Sequence, residues 1–176
     1  PVSQRVYQTL GVMNIGFIGQ DGEPEDYRRS LDLEKASAVW NINLTGSDIQ
    51  GRFFANAPGN VIAMKFKACG GKKLSFRVSM SRSVFFDSVW SENGNTIAFD
   101  GVTNADGIGF CAMASGEAHG GTIETIGEYL LIDGADEAEI YFTAATSFRF
   151  QDYREECRKI LESAVKKAMT SYMKNI

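Results

Sequence analysis

The side chains able to do chemistry are few and scattered. The only histidine, His119, lies within Gly116-Glu117-Ala118-His119-Gly120-Gly121. A zinc site wants three or four converging Cys, His or carboxylate ligands, and a Ser-His-Asp triad wants its histidine held by packing and a carboxylate. Beside two glycines, His119 reads instead as the solvated tip of a hairpin. Cys69, Cys111 and Cys157 form no Cys-x-x-Cys pair and are odd in number, so they read as small hydrophobes. Among the 22 Asp and Glu residues, spacing singles out no pair for the acid and base of a hydrolase. Asp32, flanked by Leu31 and Leu33, reads as a structural ion-pair partner of Arg28 or Arg29 rather than a catalytic carboxylate. The stretch Gly116 to Gly121 is not followed by Lys-Ser or Lys-Thr and has no phosphate-cradling pattern. Trp90 and Trp40 are weak candidates for stacking on a sugar ring, with core packing as the competing role. The residues assign no catalytic group, no cofactor and no metal.

The elements that would position these residues are mostly strands. Leu74, Phe76, Val78 and Met80 alternate with Ser75, Arg77, Ser79 and Ser81, which puts one face into a core and the other into water. Ile62, Met64, Phe66 and Ala68 alternate just before, and Gly70-Gly71-Lys72-Lys73 between the runs predicts a hairpin. Ala36 to Thr45 and Gln50 to Ala55 give a second strand, turn and strand. Further runs at Val84–Trp90, Thr96–Val102, Gly109–Ala114, Thr122–Thr125, Tyr129–Asp133 and Glu137–Thr146 are separated by Gly, Asn and Asp residues suited to tight turns. About ten to twelve such strands predict a mainly β fold, an antiparallel β-sandwich spanning residues 1–150.

After Phe150 the period changes. Tyr153, Cys157, Ile160, Leu161, Ala164, Ala168 and Tyr172 share one face of a helix within residues 151–176, with Asp152 as N-cap, acidic residues in the first turn and lysines near the end. The stripe has to be buried, on the sandwich itself, on a following domain, or against a second copy of the chain.

Length and charge set the outer limits. The chain has 176 residues, enough to bury a core without disulfides or metal. Its 18 Lys and Arg against 22 acidic residues give a net charge of -4, the wrong sign for a phosphate backbone, so nucleic acid is not an expected partner. No run approaches a membrane span, so no membrane partner is expected either.

Four ordered segments resemble the N-terminal β-sandwich domain of glycoside hydrolase family 95, the α-L-fucosidase and α-L-galactosidase family. They are Pro1 to Arg5 leading to Tyr7-Gln8-Thr9-Leu10-Gly11, Tyr27-Arg28-Arg29-Ser30-Leu31-Asp32-Leu33, Phe54 to Ile62, and Gly134 to Ala138 running to Ala144 to Phe148. Tyr-Arg-Arg-x-Leu-Asp-Leu is the strongest single signal. Val12, Gly51 and Tyr153 depart from residues common in the family. The resemblance implies a fragment of a modular bacterial enzyme whose inverting chemistry sits on a helical (α/α)6 barrel after a helical linker. That barrel, an oligosaccharide, or a second copy docked through the Tyr153–Tyr172 helix face are then the expected partners. A stand-alone carbohydrate-binding module and a self-associating interaction domain remain the alternatives.

Overall fold

A computed structural model describes residues 8–19, 24–44, 47–104 and 106–167. The strands are β1 (Val12–Phe17), β2 (Pro24–Asp32), β3 (Ser37–Leu44), β4 (Ser47–Asn56), β5 (Val61–Cys69), β6 (Leu74–Ser81), β7 (Ser88–Glu92), β8 (Thr96–Val102), β9 (Gly109–His119), β10 (Thr122–Ile126), β11 (Tyr129–Ala135) and β12 (Glu137–Thr146). One helix follows, α1 (Tyr153–Lys167). The strands form two antiparallel sheets, one of four in the order β1-β6-β11-β10 and one of eight in the order β2-β3-β4-β5-β12-β9-β8-β7. The antiparallel β-sandwich read from the alternation is therefore the observed fold.

Between the sheets lies an aromatic and aliphatic core. Leu74, Phe76, Val78 and Met80 of β6 are all buried, so its predicted apolar face points inward. They meet Phe66, Ile97, Phe99, Ala112, Ala114 and Ile140 of the larger sheet. Phe66 and Phe76 stack tilted with centroids 5.1 Å apart. Asn93 and Gly94, in the three-residue connection between β7 and β8, both have positive φ, which Asn and Gly tolerate in tight turns.

A second apolar layer covers the outer face of the eight-stranded sheet. Cys157, Leu161 and Ala164 of α1 are buried against Val61, Ala63, Ala98, Cys111, Met113, Tyr141 and Ala145. Asp152 caps the helix as predicted, accepting the Glu155 N–H at 3.1 Å. The described part of the predicted stripe is thus covered by the domain's own sheet, and Ala168 and Tyr172 lie outside the described residues. With both faces covered, β8 from Thr96 to Gly101 and β9 from Gly109 to Gly116 are buried, which overrides simple alternation. The Cys157 thiol and burial push the Cys111 thiol up, as the small-hydrophobe reading implies. Cys69 is half-buried, and all three cysteines are free.

Four local expectations are corrected. β5 and β6 are not a hairpin: β5 pairs with β4 and β12 in one sheet, and β6 with β1 and β11 in the other. Gly70 and Gly71, both at positive φ, carry the chain across the sandwich instead, because period-two patterning fixes a strand's buried face and not its partner. His119 likewise ends β9 at a crossing between sheets, since β10 pairs with β11. The run from Val84 becomes strand only at Ser88, because Phe85 takes a left-handed φ of 58° that no strand residue adopts. Asp32 caps the turn after β2, accepting the Glu34 and Lys35 N–H groups at 3.1 and 3.0 Å, while Arg28 pairs with Asp26.

Candidate functional site

Titratable side chains converge on the outer face of the large sheet, beside the area covered by α1. The register places Lys65 of β5, Glu139 of β12 and Glu117 of β9 in one cross-strand row, and Lys67, Glu137 and His119 in the next. Residues two apart on a strand share a face, so both rows and Tyr141 lie on the same surface. Lys65 bridges the carboxylates of Glu137 at 2.6 Å and Glu139 at 3.4 Å, and Lys67 reaches Glu137 at 2.9 Å. Hydrogen bonds from these two lysines hold the Glu137 carboxyl below the usual range.

The row of Glu139 and Glu117 is less balanced. Glu139 is 6% exposed and accepts a hydrogen bond from the buried Tyr141 hydroxyl. Burial, then the Glu139 carboxylate, push the Tyr141 hydroxyl up, so it remains a donor. Glu117 is half-buried directly opposite Glu139. Burial and then repulsion from Glu139 raise the Glu117 carboxyl. One donor atom each from Glu117, His119 and Glu139 lie within 4.8 Å of one another, so these three could hold a metal ion.

Two opposed carboxyl groups also raise the question of glycoside hydrolysis. That chemistry needs them about 5–5.5 Å apart for retention, or about 6.5–9.5 Å for inversion, across a sugar-sized cleft. Glu117 and Glu139 instead sit side by side on a sheet face, and none of the cavities described below is lined by them. The arrangement suits cation binding better than acid–base cleavage.

Several cavities open among the described residues, three of them beside the layers. The apolar one, about 430 Å³, opens between the sheets and is lined by residues such as Leu10, Val12, Phe53, Met80 and Phe99. A polar one of about 340 Å³ lies where α1 meets the β7–β8 turn, among Asn95, Thr96, Ser115 and Arg158. A third, about 220 Å³, lies between α1 and the Asn56–Val61 turn. Neither candidate sugar platform lines any of them. Trp40 packs into the inner core with Phe17, Phe53 and Phe66 at centroid distances of 6.1, 6.3 and 6.1 Å, over Gly51, where any side chain would overlap the indole. Trp90 is half-buried on β7 against the outer layer beneath α1. The structure does not bring the two tryptophans together.

The cluster escapes sequence reading because Glu117 and Glu139 are joined only by the β9–β12 register. The available signal was polar residues at period two, Lys65 and Lys67 on one strand, Glu137 and Glu139 on another.

One end of the sandwich is apolar at its surface. Val84, Phe85, Phe86, Val102, Ile108 and Phe148 are 37–79% exposed. The backbone brings them together: the Phe85–Phe86 segment lies against Gly101, Thr103 N–H donates to Ile108 C=O at 3.1 Å, and Ser147 N–H donates to Gly109 C=O at 2.8 Å.

Comparison with known proteins identifies the fold's relatives. The chain is 27% identical, over 168 residues, to alpha-L-fucosidase 2 of Arabidopsis thaliana, a match covering 81% of this chain and 20% of that protein. A solved structure described as a kojibiose phosphorylase from the human microbiome superposes with a TM-score of 0.57 over 93% of this chain and 25% of that one. At 10% identity, that likeness shows the fold. The chain thus spans about a fifth of the curated relative and a quarter of the solved one. The family model for the glycosyl hydrolase family 65 N-terminal domain matches residues 1–151, and the chain belongs to that family of glycoside hydrolase N-terminal domains.

Proposed function

We propose that this chain is the non-catalytic sandwich domain of a family 95-like α-L-fucosidase, and that its apolar end docks the catalytic part of the parent enzyme. The exposed cluster around Phe85 carries the docking reading. A bulky residue held at positive φ costs about 1–3 kcal/mol, and such strain concentrates where a surface has a task. Here it displays Phe85 and Phe86 beside Val102, Ile108 and Phe148. The occupant of this end is the helical barrel of the parent, since the relatives are four to five times longer than the matched region. The fucosidase specificity rests on the Arabidopsis relative and on Tyr27 to Leu33. Hydrolysis of terminal α-linked fucose with inversion belongs to the barrel, where an acid and a base stand far enough apart to admit water.

Incubating the purified chain with nitrophenyl α-L-fucoside and galactosides tests the non-catalytic role. No release is expected, and turnover that survives a clean control preparation overturns it. Calorimetry with fucosylated glycans separates the stand-alone sugar-binding alternative. Flat heats at millimolar ligand are expected, and saturable binding lost in Trp90→Ala would favour that module.

A further inference from the structure

We infer that Glu117, His119 and Glu139 form a binding site for one divalent transition-metal ion on the outer face of the eight-stranded sheet. The inference stands apart from the fucosidase reading. Three donors, two carboxylates and an imidazole, come from two directly paired strands whose register fixes their relative positions. A first-row ion bound about 2.0–2.2 Å from each donor needs donor atoms about 3–4 Å apart. Their present separations, all within 4.8 Å, need only small side-chain rotations to reach that.

The charges around the site point the same way. Glu139 is buried, and a buried carboxylate is ordinarily paired or metal-bound. Its Lys65 partner is shared with Glu137, to which it is closer. Among the described residues, no Lys or Arg forms an ion pair with Glu117, although it faces Glu139 directly across the strands. Like charges so placed destabilise a sheet, and a cation between them removes the repulsion. The Tyr141 hydroxyl holds one Glu139 oxygen from behind, the kind of outer contact that orients a ligating carboxylate.

The donor set selects the ion. An imidazole with two carboxylates suits zinc and its neighbours, whereas calcium wants six to eight oxygens and magnesium a near-octahedral oxygen shell. With three protein ligands, the remaining positions are left to water or another small ligand.

Titration calorimetry of the full 176-residue chain with zinc chloride tests the inference. One saturable site is expected, at least tenfold weaker in His119→Ala and in Glu117→Gln, with calcium chloride giving no comparable binding. His119 is exposed, so its variant should keep the circular dichroism of the parent chain. Cys69→Ser, which removes the half-buried thiol, should bind zinc unchanged. The inference is overturned by absence of saturable zinc binding, by equal affinity in His119→Ala, by calcium binding as tightly as zinc, or by loss of binding in Cys69→Ser.

Discussion

β9 and β2 belong to the same sheet and meet opposite fates. Along β9, the residues from Gly109 to Gly116 are buried on both faces, under the four-stranded sheet on one side and α1 on the other. On β2, every residue but Asp32 is exposed. The sequences reflect this. β9 runs Gly-Phe-Cys-Ala-Met-Ala-Ser-Gly, with small residues that let two layers approach, while β2 carries Glu25, Asp26, Arg28 and Arg29. Yet Tyr27 and Leu31 of β2 lie opposite Ile42 and Ala38, on the side that Ile42 and Trp40 turn to the core. They are exposed because the opposing sheet is half as wide. Burial in this molecule is set by what lies across a strand, not by the pattern within it.

The contrast makes substitutions unequal. Met113→Ala, at the buried centre of β9, should cost about 2–5 kcal/mol, read as a lower urea midpoint at unchanged slope. Arg154→Ala should come next. It leaves the fully buried Asp100 carboxylate with only the Ser88 hydroxyl, 2.5 Å away, in place of an ion pair from α1. Because Arg154 is itself about half exposed, the loss should be about 1–3 kcal/mol, and a double-mutant cycle with Asp100→Asn would show it to be mutual. Leu31→Ser on β2 should change stability by less than about 0.5 kcal/mol. A loss above about 1.5 kcal/mol in thermal melts would mean that something covers β2 in solution, and the contrast with β9 would fail.

The layers were legible where one side chain's surroundings suffice. Leu74 to Ser81 declared its inward face, and Tyr153 to Ala164 declared a capped helix with a stripe to bury. Pairing was not legible, because Gly70-Gly71 permits both a hairpin and a crossing between sheets, and only the partners of β5 and β6 decide. The same limit hid the site. His119 was visible as the lone imidazole, but Glu139 reaches Glu117, far back in the chain, only through the pairing of β12 with β9. Phe85 was obscured for another reason: an apolar run through Phe86 looks like a strand until its backbone turns left-handed.

The place of β12 bears on how the molecule is made. Among the described strands it is the last in chain order, and it enters between β5 and β9, joining the four-strand meander of β2 to β5 to the three-strand meander of β7 to β9 in the large sheet. Until Glu137–Thr146 has left the ribosome, those meanders present two raw inner edges with nothing to bond to. A nascent chain therefore carries its greatest hazard of pairing with a neighbour just before β12 emerges, and β12 discharges that hazard in one step by filling the gap.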